Sequence, residues 1–160
     1  MSRYKCKHFK IYELVDRETY KKYGQKAWWF FNERALRGMD ELWEGIYKET
    51  GKRPSIIVND WKWRRGGFQW RGLRTARFYL LNLFKKIKLF FRKDINKAVS
   101  YSDHMRGDAF DFDVKGMSAE EVRVHIRANY EKYGITAIEN GVNWVHASWR
   151  NCKPLMQFNP

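Results

Sequence analysis

The chain has 160 residues, the usual size of one domain, and its hydrophobic fraction of 44% and aromatic fraction of 18% argue against a disordered chain. Lys and Arg outnumber Asp and Glu by 32 to 18, which leaves a net charge of +14 and favours polyanionic partners such as nucleic acid, anionic lipid or wall polymers. The first residues lead into no apolar run, and no run reaches the roughly 18 apolar residues of a membrane span, so we expect neither a signal peptide nor a membrane span.

No repeat, linker or low-complexity tract divides the sequence, so residues 1–160 are predicted to form a single domain. The two cysteines, Cys6 and Cys152, have neither CxxC spacing nor the density of a disulfide scaffold. Reduced thiols and intracellular synthesis are the simpler interpretation, and a bridge between the two ends of the chain is the alternative.

The first half of the chain predicts one long helix, one strand and a loop. Asn32 can cap a helix whose apolar positions recur at helical spacing and which ends at Gly51. The short β-branched run 55–59 predicts a strand. Residues 61–74 are rich in Trp, Arg and Gly, which indicates an irregular loop. Its aromatic rings either line a substrate groove or fill the core.

A basic amphipathic insert is predicted near residues 77–98. Its apolar positions share one helical face: Leu80, Phe84, Ile87 and Phe91. Such a helix can lie on an anionic wall polymer or membrane surface through the basic residues 85–93. A core-facing helix with a solvated basic side is the alternative.

The second half of the chain predicts a strand, a helix and a hairpin. Residues 108–114 alternate between apolar and acidic side chains, as in a half-buried strand. A capping box at Ser118 opens a helix that ends at Gly134. Residues 135–139 and 143–149 are predicted to pair as a hairpin. The predicted fold class is therefore α+β, with helices packed on a small, mostly antiparallel sheet.

Histidine is scarce, and two of the four histidines lie near an acidic strand position. His104 precedes Asp111 by seven residues, and His146 lies on the last predicted strand. Two imidazoles and one carboxylate form a three-ligand zinc pattern with an open fourth position, which is typical of catalytic sites. Asp113, on the face of Asp111, is a candidate to orient a ligating imidazole. Taken alone, the same residues are also explained by scattered surface histidines and a solvated aspartate, and His125 is expected to be an ordinary helix residue.

Longer motifs contain the three candidate ligands. Residues 102–112 match the pattern S-x-H-x-x-G-x-A-x-D-[FI] at every defined position, and residues 144–146 match a closing W-x-H strand. The chain therefore resembles the zinc D-Ala-D-Ala carboxypeptidase and endopeptidase family, which groups with lysostaphin-type enzymes and the hedgehog signalling domain. It is similar to phage-encoded, endolysin-like members over nearly its whole length apart from the insert near 77–98. The resemblance implies a zinc peptidase fold of the hedgehog and DD-peptidase type.

The resemblance also implies a role for each matching residue. The residues that would hold Zn²⁺ are His104, Asp111 and His146. Ser102 would help to bind the peptide end of the substrate. Arg74 would stabilise the oxyanion, a role that suits a fixed guanidinium because negative charge develops on the carbonyl oxygen as water adds.

The general base is where the chain departs from the family. Relatives often place an acid three residues before the last ligand, where this chain has Asn143, which cannot take a proton. Glu139 is the nearest upstream carboxylate and is the predicted base, with a merely solvated carboxylate as the alternative. A tight turn at Asn140-Gly141 would hold Glu139 too far from the ligands, whereas a wider loop would bring it near. A second departure is the run 147–150, which replaces a small acid-containing segment of the relatives.

Together these patterns predict a monomeric zinc metallopeptidase that hydrolyses an amide bond in the stem or cross-bridge peptides of bacterial peptidoglycan. An endolysin of this kind would be made in the host cytoplasm and act on the cell wall after release, and a virion-associated location is the alternative. The alternative function is a non-catalytic zinc-fold virion or binding protein attached to an anionic surface, which Asn143 and the altered run after His146 support. A nucleic-acid binder is a third hypothesis that depends on charge and aromatic content alone, and no specific nucleic acid is expected.

Overall fold

The structure is a computed structural model that describes residues 3–64, 67–81, 102–150 and 155–159. Residues 76–81, at the start of the predicted basic insert, are helical. The basic residues 85–93 and the rest of the insert lie outside the described residues. Within the described ranges, no helix combines the length and the apolar character needed to cross a membrane.

Helices of the N-terminal half lead into the long helix that the sequence predicts. Two short helices, α1 (Ile11–Leu14) and α2 (Arg17–Tyr23), are followed by a 3-10 helix at Gly24–Phe30 and then by α3 (Glu33–Thr50). Asn32 caps α3 by accepting the backbone N–H of Arg34, and Gly51 ends it in the left-handed region with φ 67°. Both predicted ends of this helix are therefore confirmed, whereas α1 and α2 were not predicted.

The described strands form a mixed, mostly antiparallel sheet of five strands in the order β1-β2-β4-β3-β5. The strands are β1 (Ile56–Ile57), β2 (Ala109–Val114), β3 (Ala137–Glu139), β4 (Val145–Ser148) and β5 (Met156–Phe158). Only the β3–β5 pair is parallel among them. Helix α4 (Ala119–Tyr133) connects β2 to β3 and has the predicted capping box at Ser118. The predicted α+β class is confirmed, and β5 is a strand that the sequence did not predict.

Helices α3 and α4 pack closely because α3 carries glycines where the two helices meet. A Cβ atom on Gly45 would lie 2.0 Å from the Tyr133 hydroxyl oxygen, and one on Gly38 would lie 2.2 Å from Nε1 of Trp149. Trp149 donates its indole N–H to the Tyr133 carbonyl at 2.8 Å. His125 is buried here between Glu49 and the Tyr133 hydroxyl, so it is a packed helix residue.

Candidate metal centre

His104, Asp111 and His146 converge on one point although they lie on three separate elements. His104 is on a 3-10 helix at Asp103–Arg106, Asp111 is on β2, and His146 is on β4. One ligand atom from each residue lies within 4.8 Å of the other two, and all three residues are buried. Since Asp111 and His146 are register partners of an antiparallel pair, the sheet itself places them side by side.

A backbone carbonyl orients the His104 ring. Nδ1 of His104 lies 2.8 Å from the carbonyl oxygen of Gly72, so this nitrogen carries the proton and donates it. Nε2, which then has the lone pair, lies 3.3 Å from Oδ1 of Asp111. It is buried and has no hydrogen-bond partner among the described residues. The ring is therefore held in the tautomer that leaves Nε2 free to bind a metal.

The segment 71–74 is packed tightly enough to hold that carbonyl in place. Leu73 donates its backbone N–H to the Leu14 carbonyl at 2.9 Å, and Asp111 donates its own to the Arg71 carbonyl. A Cβ atom on Gly72 would lie 2.0 Å from the Leu14 carbonyl oxygen, so only glycine fits at this position. The stretch that the sequence indicates as an irregular loop thus includes a rigid support for the candidate ligands.

Gly107 makes the turn from His104 into β2. Its φ is 68°, in the left-handed region that favours glycine, and a Cβ atom there would lie 2.3 Å from the Phe30 carbonyl oxygen. The backbone therefore needs a glycine at this position between the first two candidate ligands.

The protonation states of the group suit a metal ion. Burial lowers the pKa of His104, although the neighbouring Asp111 carboxylate opposes that effect. Burial disfavours ionised Asp111, but the neighbouring His104 and His146 side chains outweigh it and hold the pKa of this carboxyl well below its usual range. Nδ1 of His146 lies 2.7 Å from Oδ1 of Asp111. A neutral His104 imidazole beside an ionised carboxylate is the arrangement that metal binding requires.

Arg74 contacts the centre through Asp111. Its guanidinium donates to Oδ2 of Asp111 and, through Nε, to the Trp70 carbonyl at 2.8 Å. Its backbone N–H donates to the His104 carbonyl at 3.1 Å. The guanidinium position is therefore fixed from two sides.

An open cleft of about 450 Å³ leads to the three residues. It is lined by Arg74, Ser102, Asp103, His104, Asp111, Glu139, Trp144, His146, Arg150 and Phe158. The residues predicted as metal ligands, general base, oxyanion stabiliser and substrate contact thus all lie on this one cleft. Ser102 begins the 3-10 helix, and its hydroxyl accepts the His104 backbone N–H at 3.4 Å.

Glu139 approaches the centre because the loop between β3 and β4 is wide. Ala137 pairs with Ser148 and Ile138 with Ala147, so continuation of the register puts Glu139 opposite His146. Residues 140–144 form the connection, and a tight two-residue turn at Asn140-Gly141 does not occur. Side chains directly opposite in such a pair have Cβ atoms about 4.5–5.5 Å apart. Of the two turn geometries weighed above, the structure has the one that brings Glu139 near.

Arg123 supports this loop from α4. Its side chain is buried, at 4% exposure, and donates to the backbone carbonyls of Trp144 at 3.0 Å and Val142 at 3.1 Å. The helix periodicity alone gives an arginine on α4 no such role. The only sign of this role in the sequence is that Arg123, a charged residue, lies beside the apolar positions Val122 and Ile126 of the helix.

Asp113 does not orient an imidazole. Its carboxylate accepts from the guanidinium of Arg71 instead, and the acceptor that orients His104 is the Gly72 carbonyl. Every residue has a backbone carbonyl, so the sequence cannot show which one accepts from His104. From the sequence, that role was therefore assigned to a nearby carboxylate. The role expected of Asp113 was therefore wrong.

No family model matches the chain, and neither a curated protein nor a solved structure matches it. The candidate metal centre is therefore described not from a known relative but from its own residues in this chain. They form a buried His-Asp-His group, open to a cleft, that could hold a metal ion.

Proposed function

We propose that this chain is a zinc-dependent peptidase that hydrolyses an amide bond in the stem or cross-bridge peptides of bacterial peptidoglycan. The observation that carries the proposal is the convergence of His104, Asp111 and His146 within 4.8 Å of one another at an open cleft. The resemblance of residues 102–112 and 144–146 to the D-Ala-D-Ala peptidase motifs supplies the reaction and the substrate class, with a fold of the hedgehog and DD-peptidase type.

The donor set fits zinc. Two imidazoles and one carboxylate are a common zinc ligand set when a fourth position is left for water or substrate. Nε2 of His104 is buried without a hydrogen-bond partner among the described residues, and such an atom costs free energy unless a group binds it. A metal ion held by His104, Asp111 and His146 would relieve that cost.

Bound zinc would act as a Lewis acid toward the amide carbonyl and the attacking water. Glu139 would take a proton from that water as its oxygen bonds to the carbonyl carbon, and would then deliver the proton to the leaving amine as the C–N bond breaks and the carbonyl re-forms. Arg74 would stabilise negative charge on the carbonyl oxygen, because its guanidinium is already held beside Asp111. Ser102, on the wall of the cleft, would hold the peptide end of the substrate.

The net charge of +14 supports an anionic partner in addition to the substrate. Wall polymers and lipid head groups are both anionic, and residues 85–93 would concentrate the protein there. The proposed setting is that of an endolysin: synthesis as a monomer in the host cytoplasm, followed by action on the cell wall.

The test combines metal analysis with a zymogram of peptidoglycan. Purified protein should contain about one zinc per chain, and a chelator should abolish clearing, which added zinc should restore. Glu139→Gln should keep the zinc and lose clearing. A protein that holds zinc, clears no peptidoglycan and still binds wall material would instead establish the non-catalytic binding protein. A protein that binds no zinc would exclude both.

A further inference from the structure

A second arginine lies on the cleft, at the end opposite to Arg74. Asp111 pairs with His146 across β2 and β4, and Glu139 pairs with Phe158 across β3 and β5. Continuation of the β3–β4 register joins the two pairs in one row. Arg74 contacts the β2 end of this row through Asp111. At the β5 end, Cζ of Arg150 lies 5.6 Å from the centre of the Phe158 ring. The two guanidiniums therefore flank the candidate metal centre across the strands.

The position of Arg150 is determined by its contacts. Nη2 lies 2.6 Å from Oδ2 of Asp103, and the same oxygen accepts the Ser148 hydroxyl at 2.7 Å. Asp103 is buried and also pairs with Arg106 at 2.6 Å. A guanidinium held by a buried carboxylate on one side and an aromatic ring on the other has lost most of its rotational freedom before any ligand arrives.

Arg150 still has hydrogen-bonding capacity to offer. A guanidinium has five N–H donors, and Nη1 of Arg150 has a methionine sulfur, at 3.8 Å, as its partner in the structure. Nε is buried without a partner among the described residues. The side chain is 30% exposed and lines the cleft. A fixed guanidinium with a weakly occupied Nη1 suits a carboxylate of the ligand.

The distance from the centre limits where that carboxylate lies. The His146 and Phe158 rings are 5.7 Å apart, and the Arg150 Cζ is 5.6 Å from the Phe158 ring. The sum of these separations, 11.3 Å, is the largest distance that Arg150 Cζ can have from the His146 ring centre. An extended peptide spans about 3.3–3.6 Å per residue, so about three residues cover it.

We propose that Arg150 is a specificity-determining residue that binds a carboxylate of the substrate within about three residues of the scissile amide. The inference rests on the proposed peptidase function. It narrows the substrate class to anionic peptides, whose carboxylate pairs with Arg150 while the amide lies at the His104–Asp111–His146 centre. Uncharged peptides of the same length would bind weakly.

The experiment uses matched synthetic peptides and a matched control variant. The probes are the stem pentapeptide L-Ala-γ-D-Glu-L-Lys-D-Ala-D-Ala with both backbone carboxylates free, and the same peptide with both amidated. Affinity is measured by calorimetry on metal-free protein, and KM and kcat are measured on zinc-loaded protein. The variants are Arg150→Gln, Arg150→Lys and Arg106→Gln. Arg106 pairs with the same Asp103 carboxylate but does not line the cleft.

Arg150→Gln should weaken binding of the free-acid peptide by about 10- to 100-fold, the range for losing a hydrogen bond between charged groups, and should raise KM more than it lowers kcat. It should leave the affinity for the doubly amidated peptide within about twofold. Arg150→Lys keeps the positive charge but not the paired N–H donors of a guanidinium, so its affinity for the free-acid peptide should lie between those of wild type and Arg150→Gln. Arg106→Gln should bind both peptides within about twofold of wild type. The singly amidated peptides then identify which carboxylate is bound.

If Arg150→Gln loses affinity equally for the free-acid and amidated peptides, or for neither, the inference is overturned. If Arg150→Gln does not fold, Arg150→Lys supplies the same comparison. The proposed function can fail separately. If the zinc-loaded protein cleaves no peptide while free-acid peptide still binds in an Arg150-dependent way, the peptidase proposal falls and carboxylate recognition stands. If cleavage proceeds normally in Arg150→Gln, only the inference falls.

Discussion

Continuation of the β3–β4 register places Glu139 opposite His146, and strand β4 alone separates Glu139 on β3 from Asp111 on β2. This relationship places a second carboxylate on the cleft of the candidate metal centre, although Asn143, three residues before His146, cannot take a proton. It depends on the wide loop 140–144, since a two-residue turn would have moved Glu139 several pairing steps away from His146.

The first prediction concerns the support of that loop. Arg123→Gln removes two hydrogen bonds from a buried guanidinium to the half-buried carbonyls of Val142 and Trp144, so it should lower the free energy of unfolding by about 1–3 kcal/mol. Under the proposed function it should also lower kcat, because Glu139 loses its fixed approach. Urea denaturation and peptide hydrolysis measure the two effects. Arg127→Gln is the control, because Arg127 shares the partner Glu120 but contacts no loop carbonyl in the described structure. A variant indistinguishable from this control contradicts the prediction.

The second prediction distinguishes a candidate ligand from a packed histidine. His104→Ala should lower zinc affinity by more than about 100-fold, since changes to residues that merely orient a ligand already cost about 10- to 100-fold. His125→Ala should destabilise the chain, because His125 is buried between Glu49 and Tyr133, yet should keep one zinc per chain at a temperature where it is folded. Competition with a chromogenic chelator measures the affinities. Equal zinc loss in the two variants would show that His104 acts through stability rather than as a ligand.

The third prediction tests the close contact of α3 with α4. Gly45→Ala forces a Cβ into the Tyr133 hydroxyl, and it should lower the free energy of unfolding by about 1–3 kcal/mol despite the higher helix propensity of alanine. Lys48→Ala, at an exposed position of the same helix, should change it by less than about 0.5 kcal/mol. Thermal and denaturant unfolding of both variants give the comparison. A stabilised Gly45→Ala variant would mean that the two helices are further apart than described.

The fourth prediction concerns Cys6, which is a free thiol in the structure. Burial raises the pKa of this thiol far above its usual range, and the nearby carboxylates of Asp40 and Glu13 raise it further. Because the thiolate is the reactive form, Cys6 should react slowly with iodoacetamide in the folded protein at pH 8 and rapidly after denaturation. The measurement uses a Cys152→Ser background, so that Cys6 is the sole thiol. Equal rates in the folded and denatured protein would contradict the described packing of Cys6 near Leu36.

Local signals in the sequence were sufficient for the elements that have clear ends. The helix between Asn32 and Gly51 and the helix between Ser118 and Gly134 were predictable because a capping side chain and a left-handed glycine act within one turn. Strand β2 was predictable because Phe110, Phe112 and Val114 alternate with acidic residues. Strand β5 was not, because it depends on parallel pairing with the distant β3. Helices α1 and α2 have four and seven residues, too few for a helical repeat of apolar positions to show.

The sequence by itself determined the α+β class, because capping signals and the alternation of a strand are local properties. It pointed to His104, Asp111 and His146 through the resemblance of residues 102–112 and 144–146 to zinc-peptidase motifs. Only the tertiary structure decided that the Gly72 carbonyl orients His104, that Arg123 supports the loop beside Glu139, and that Arg150 and Phe158 complete the cleft. These contacts join residues far apart in the chain through backbone acceptors and strand register. A backbone acceptor has no characteristic residue type and strand register has no characteristic spacing, so neither can be recognised before the chain is folded.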